Sequence, residues 1–155
     1  MRVYRYELRR KTDARAAELL SGYGIVTSDG IAADIIRRLV GERAREHFVV
    51  VYLDVANRVA AYELIAIGSE ADVHVTPREV FRGALVAGAN AIIIGHNHPS
   101  GQACASADDD AITARLVNAG AVLGVQILDH VVVTSTSHFS YFATGRLPKA
   151  CKETA

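Results

Sequence analysis

Residues 89–101 have the sequence ANAIIIGHNHPSG, and the predicted fold is built around this stretch. Residues 89–95 form a short run that is apolar except for Asn90, which is typical of a strand buried on both faces near the centre of a sheet. His96 and His98 follow, and alternate residues of an extended backbone point the same way. Pro99 stiffens the backbone here, and Gly101 permits the turn that follows. The sequence therefore predicts a central strand that presents two imidazoles at its end.

In the rest of the chain, segments with alternating, β-branched or aromatic residues, typical of strands, are interspersed with segments whose apolar residues recur at helical spacing. We predict strands over 2–9, 47–54, 58–67 and 138–142, one or two strands within 121–133, and helices over 29–45, 77–88 and 106–119. A turn at 54–57 closes a hairpin. The order β-α-β-β-α-β-α-β-β predicts an α/β fold, an α+β sandwich in which helices flank a mixed central sheet.

Length and composition indicate one soluble domain. The 155 residues can bury a core without disulfides, and we assign the domain to 1–147 and a frayed C-terminal tail to 148–155. Lys and Arg number 17, as do Asp and Glu, which argues against a strongly basic nucleic-acid-binding protein. Because there is no signal-like start and no apolar run long enough to span a bilayer, we expect a cytoplasmic protein without membrane contact.

Asp109 gives the two histidines a third partner. It lies eleven residues after His98, in the first turn of a predicted helix, and a loop of that length can fold back to the strand end. Two neutral imidazoles and one carboxylate form a three-ligand zinc site with an open fourth position, which a hydrolytic metal needs. An HxH pair alone also arises by chance, and Ser106 with Asp109 is an ordinary capping box. The combination of both motifs is much rarer than either.

This combination, HxHP at a strand end with SxxD at a helix start, resembles the JAMM (MPN+) metalloprotease-like family, whose signature includes an upstream glutamate. The RadC-type branch is more similar still, through HNHPSG, TPREVFRGAL and ILDHVVV, and the likeness runs from about residue 2 to residue 147. The resemblance implies the JAMM fold, which is cytidine-deaminase-like, with Zn²⁺ bound by His96, His98 and Asp109. It also implies that Ser106 helps to stabilise the oxyanion of a tetrahedral intermediate.

The family's glutamate acts as general base and acid, and it lies at the beginning of a strand before the hairpin. Glu46, just before HFVVVYLD, fits that place best. Glu63, within AYELIAI, is the second candidate, although an outward strand position also explains it.

Cys104 lies in a loop that lacks the prolines often found in this segment of the RadC-type branch. A thiolate could occupy the open metal position, but we favour a small loop residue that points away.

His130 and Asp129 lie in a predicted apolar strand. We predict that His130 is a core histidine satisfied by a backbone group, and not a ligand. Asp129 could be its partner, or could orient a metal-bound imidazole.

The resemblance implies a zinc hydrolase that cleaves a peptide or isopeptide amide in a protein substrate. The alternative is a DNA-repair-associated RadC-like module, either a metal-dependent nuclease or a non-enzymatic DNA- or protein-binding domain. The basic first 45 residues, with 10 Lys or Arg against 6 Asp or Glu, motivate a DNA partner. Against it, 155 residues leave no room for the N-terminal helical region of longer RadC-type proteins. An exposed edge on strand 2–9 could pair two chains into a homodimer.

Overall fold

The computed structural model describes residues 12–40, 43–68 and 75–150. The elements are α1 (Ala14–Leu19), α2 (Asp29–Val40), β1 (Glu46–Leu53), β2 (Val59–Gly68), α3 (Pro77–Ala87), β3 (Ala91–Asn97), α4 (Ala107–Leu123), β4 (Gln126–Val133) and β5 (His138–Ser140). One mixed sheet holds the five strands in the order β2-β1-β3-β4-β5. The predicted α/β class, the hairpin and the central place of β3 are confirmed, while the predicted strand 2–9 lies outside the described residues.

Several elements differ from the sequence prediction. The helix predicted over 29–45 ends at Val40, whose carbonyl accepts a hydrogen bond from the Arg43 side chain at 2.6 Å. The short helix α1, capped by Asp13, was not predicted. The helix predicted over 106–119 continues to Leu123 and ends at Gly124 in the left-handed conformation, and the single strand within 121–133 agrees with the predicted one or two. None of the helices in the described ranges is long and apolar enough to cross a bilayer.

Helices cover both faces of the sheet. On one face, α2 packs against buried side chains of the strands, among them Val49, Val51, Leu53, Ile93, Val131 and Val133. On the other face, α3 and α4 pack against Phe48, Val50, Tyr52, Ile92, Ile94 and Ile127. Every residue of β3 is buried, as expected of a central strand with a helical layer on each side.

The pairing of β3 with its neighbours determines which residues meet at its end. It runs antiparallel to β1, with Phe48 opposite His96, and parallel to β4, with Val132 opposite His96. The beginning of β1 therefore lies at the same edge of the sheet as the end of β3. The main-chain N–H of His98 donates to Val133 at 2.9 Å, so the ladder extends to the second histidine.

Gly95 allows α2 to approach β3 closely, next to His96. A Cβ atom at this position would lie 2.8 Å from the Val131 carbonyl oxygen and 2.9 Å from two side-chain carbons of Ile36. Those separations are shorter than van der Waals contact, so a side chain would push the helix and the strand apart. The glycine before the first histidine is thus a packing requirement.

We predict that Gly95→Ala lowers the free energy of unfolding by about 1–3 kcal/mol, because the extra methyl overpacks the α2–β3 contact. Urea unfolding followed by circular dichroism measures this change. Gly30→Ala is the matched control, since the nearest atom to its added Cβ is the Ser28 hydroxyl at 3.9 Å. That variant should be unchanged or up to about 1 kcal/mol more stable. Equal stabilities for the two variants would contradict the packing argument.

Candidate metal centre

Four side chains from β1, β3, the following loop and α4 converge at the carboxyl end of β3. Glu46, His96, His98 and Asp109 each offer one ligand atom, and these atoms all lie within 4.8 Å of one another. The His96 Nε2 atom lies 3.0 Å from His98 Nε2, 3.3 Å from Asp109 Oδ1 and 3.8 Å from Glu46 Oε1. The structure thus brings together all three predicted ligands and the preferred glutamate.

His96 is fully buried at the end of β3. It continues the row of Ile92 and Ile94, so its ring points to the α3–α4 side of the sheet, where it stacks on Phe48 with ring centroids 6.0 Å apart. Burial lowers the pKa of His96 to about 4, because the charged form would lose its hydration. The imidazole is therefore neutral near pH 7 and has one nitrogen free to bind a cation.

His98 lies in the loop that follows β3, and a main-chain contact fixes its orientation. Its Nδ1 atom lies 2.9 Å from the carbonyl oxygen of Gln102. A carbonyl oxygen only accepts, so Nδ1 carries the hydrogen and donates it. In the neutral ring this leaves Nε2 unprotonated, and Nε2 is the atom that faces His96.

Asp109 is positioned by the capping box at the start of α4, where Ser106 is the N-cap residue. The main-chain N–H and the hydroxyl of Ser106 both donate to Asp109 Oδ2 at 2.7 Å, and the Asp109 N–H donates back to the Ser106 hydroxyl at 3.1 Å. The predicted capping role of this pair is confirmed. Because Ser106 engages Oδ2, the other carboxylate oxygen, Oδ1, faces His96.

Glu46 is the first residue of β1, and Asn97 holds the backbone on both sides of it. The Asn97 amide oxygen accepts from the His47 N–H at 2.8 Å, and its NH₂ group donates to the carbonyls of Arg43 and Arg45 at 3.2 and 3.0 Å. Burial raises the pKa of the Glu46 carboxyl, an effect that His98 partly opposes. Sequence analysis missed Asn97, although the middle residue of an HxH pair in a strand must point to the opposite face.

The second glutamate candidate lies elsewhere. Glu63 lies on the outer strand β2, and its two carboxylate oxygens accept hydrogen bonds from the Tyr52 hydroxyl at 2.9 Å and from Arg82 at 2.8 Å.

Cys104 is exposed and does not belong to the cluster. Its expected place as a loop residue pointing away is confirmed.

His130 is a buried core histidine, as predicted, but the expected backbone partner was wrong. Its ring nitrogens contact the side chains of His96, at 3.0 Å, and Thr113, at 2.6 Å. The Asp129 carboxylate is not a partner of the His130 ring; it accepts from the Ser140 hydroxyl at 2.6 Å and the Phe142 N–H at 2.9 Å, and also interacts with the His130 main chain. Neighbouring strand residues point to opposite faces, so Asp129 and His130 have separate surroundings.

The donor set suits a bound metal ion. Imidazole nitrogens and carboxylate oxygens are common ligands of first-row divalent metals. The Nε2 atoms of His96 and His98 lie 3.0 Å apart, a separation that needs a hydrogen on one of them or a cation between them. The cluster is also largely shielded from solvent, with His96 fully buried and Asp109 8% exposed, so its electrostatic interactions are weakly screened. These four residues could therefore hold a metal ion.

The profile of the RadC-like JAB domain matches residues 26–146, a range that includes all four residues of the cluster. The chain belongs to the RadC-like JAB domain family. Among its relatives, a UPF0758 protein of Caldanaerobacter subterraneus subsp. tengcongensis is 47% identical over 103 residues, which is 64% of this chain and 44% of the relative.

Two further UPF0758 proteins show similar likeness to this RadC-like JAB domain. The one from Rubrobacter xylanophilus is 36% identical over 126 residues, covering 81% of this chain and 55% of the relative. The one from Burkholderia thailandensis is 42% identical over 121 residues, covering 78% and 46%. The chain thus spans about half the length of these curated relatives.

We predict that the purified protein binds about one divalent ion per chain, and that His98→Ala loses it, because two protein ligands hold a metal far less tightly than three. Elemental mass spectrometry after gel filtration, following exposure to a mixture of divalent metals, measures the content. His138→Ala is the control, since that histidine pairs with Asp29 at 3.1 Å and is not part of the cluster. Equal metal content in parent and His98→Ala would show that the cluster is not the binding site.

Proposed function

We propose that this RadC-like JAB domain is a zinc-dependent hydrolase of the JAMM type, which cleaves a peptide or isopeptide amide bond in a protein substrate. One observation carries the proposal. Glu46, a carboxylate suited to proton transfer, lies 3.8 Å from the nearest nitrogen of a compact set of two imidazoles and one carboxylate. Three ligands with an adjacent glutamate are an arrangement that suits metal-assisted hydrolysis.

In this proposal His96, His98 and Asp109 hold the zinc ion. Three protein ligands leave a fourth coordination position for water or substrate. A zinc ion there supplies a Lewis acid and lowers the pKa of water at the open position to near neutrality. His96 and Asp109 are well shielded, so the chain's own contribution is to keep competing solvent away and to fix the ligand directions.

Glu46 acts as the general base and then as the general acid. It takes a proton from the attacking water and gives it to the nitrogen of the leaving amine. Burial raises the pKa of its carboxyl, which brings the group closer to the pH at which it must both accept and donate. Asn97 fixes the backbone before and after Glu46, so the carboxylate has little freedom to leave this place.

Ser106 is proposed to help stabilise the oxyanion that forms on the substrate carbonyl. The residue is exposed at the N-terminus of α4, where a substrate can reach it. In the structure its hydroxyl donates to Asp109 Oδ2 at 2.7 Å. To assist the oxyanion, the hydroxyl must rotate toward the substrate or act through a water molecule.

The alternative function, a DNA-repair-associated module, stays a prediction. In the basic N-terminal part of the chain, Arg37 donates to the carbonyls of Thr134 and Ser137, and Arg38 contacts Tyr23 and Asp34. The guanidinium groups of these two arginines therefore make contacts within the fold.

We predict that Glu46→Gln lowers amide hydrolysis by about 10²–10⁴-fold while leaving the zinc content unchanged, because glutamine cannot accept or donate the proton. Zinc-loaded protein is incubated with a mixed-sequence peptide library and with isopeptide-linked peptides. Mass spectrometry counts the new termini.

Glu63→Gln is the matched control, since it removes the other candidate carboxylate, which hydrogen-bonds Tyr52 and Arg82. It should cleave like the parent. A zinc-loaded parent that cleaves no member of either substrate set would overturn the proposed hydrolase. Equal activity in Glu46→Gln and the parent would overturn the role of Glu46.

A further inference from the structure

A chain of buried hydrogen bonds leads from the main chain of α4 to the ring of His96. The Thr113 hydroxyl lies 2.5 Å from the carbonyl oxygen of Asp109, one helical turn earlier. The same hydroxyl lies 2.6 Å from His130 Nδ1, and His130 Nε2 lies 3.0 Å from His96 Nδ1. Thr113, His130 and His96 are each 0% exposed, so water does not compete for these contacts.

The contact between Thr113 and the Asp109 carbonyl determines which atom donates in each hydrogen bond of this series. A carbonyl oxygen has no hydrogen to give, so the close contact between Thr113 and the Asp109 carbonyl requires the hydroxyl to donate. The hydroxyl has a single hydrogen, and its oxygen is then left as an acceptor toward His130. Nδ1 of His130 must therefore carry a hydrogen and donate it to Thr113.

The same rule decides the next two nitrogens. A neutral imidazole carries one N–H, so a hydrogen on Nδ1 of His130 leaves Nε2 as an acceptor. His96 Nδ1 faces that acceptor and must donate to it. The hydrogen of His96 is then on Nδ1, which leaves an unprotonated Nε2 facing His98, Asp109 and Glu46.

We propose that Thr113 and His130 are positioning residues that select the metal-binding tautomer of His96 and tie its ring to the helix that carries Asp109. This inference rests on the metal site of the proposed function and deepens it. Both ends of the hydrogen-bond chain belong to proposed ligands, namely the carbonyl of Asp109 and the ring of His96. A shift of α4 relative to β3 would therefore disturb the ligand geometry and the tautomer together.

Aromatic packing keeps His130 in the orientation that the chain needs. The ring of Tyr141 stacks on it with centroids 4.9 Å apart and planes within 7° of parallel, and Phe48 lies 5.8 Å away at a tilt. The Tyr141 hydroxyl donates to Asp110 at 2.9 Å, and Asp110 is also held by Arg146. The His130 ring is thus confined between neighbours that are themselves anchored.

The test is the nearly isosteric substitution of Thr113, which two hydrogen bonds, through His130, connect to the ring of His96. Thr113→Val removes the acceptor of the His130 Nδ1 hydrogen, so the imidazole is expected to change tautomer and donate from Nε2 to His96. The hydrogen of His96 would then be on Nε2, and this nitrogen could no longer bind a metal ion. We expect the affinity for Zn²⁺ alone, measured by competition with a chromophoric chelator, to fall about tenfold or more.

Matched variants separate positioning from a general loss of stability. Thr113→Ser keeps the hydroxyl and should bind Zn²⁺ like the parent. Thr144→Val removes a hydroxyl that donates to a carbonyl four residues earlier, at 2.6 Å. Unlike the Thr113 hydroxyl, it has no hydrogen bond to a histidine among the described residues. It too should bind Zn²⁺ like the parent. His130→Phe keeps a stacked ring without the acceptor, and we expect its affinity to fall about 10–100-fold.

A second readout does not need metal at all. Long-range ¹H–¹⁵N correlation spectra of chelator-treated protein identify the protonated nitrogen of each imidazole. The proposal expects hydrogens on Nδ1 of His96 and His130 in the parent and in Thr113→Ser, and the reversed tautomers in Thr113→Val. Parent rings protonated on Nε2, or unchanged Zn²⁺ affinity in both Thr113→Val and His130→Phe, would overturn the proposal.

These outcomes are distinct from failure of the proposed function. If the parent binds Zn²⁺ but cleaves no substrate, the hydrolase proposal fails and the positioning role stands on the affinities and tautomers. If hydrolysis is found but Thr113→Val and His130→Phe bind Zn²⁺ like the parent, the hydrolase stands and the positioning role fails.

Discussion

The structure depends on two imidazole nitrogens, of His96 and His98, that lie 3.0 Å apart beside two carboxylates in a largely buried place. Carbonyl acceptors at the far side of each ring direct the hydrogens away from this point, directly for His98 and through His130 and Thr113 for His96. Electron pairs brought together in this way favour a cation or a proton between them. In the proposed function, a bound metal ion would relieve this repulsion.

The order and directions of the strands bring the side chains of the cluster together. Because β3 is antiparallel to β1 and parallel to β4, one edge of the sheet collects the beginning of β1 and the ends of β3 and β4. The connection from β3 to β4 passes through α4, whose N-terminus returns to that edge. Three separate stretches of sequence therefore contribute to the cluster without any long excursion of the chain.

Short-range patterns allowed much of this to be predicted from the sequence. The apolar run before His96, the β-branched and aromatic residues of β1 and the capping box at Ser106 are local patterns, and each predicted its element correctly. The partners of His130 could not be read in the same way, because Thr113 reaches it only after α4 packs on the sheet.

Residues on the two faces of β3 hold different parts of the site in place. His96 faces the α3–α4 layer, and the ligands are oriented there by the capping box and by the His130 chain. Gly95 and Asn97 face the other way, where one admits α2 and the other holds the backbone around Glu46. The proposed ligands and the proposed base are therefore held by separate hydrogen-bond systems. Such a division lets a change at Glu46 alter proton transfer without altering the metal site, which is the condition for assigning them different roles.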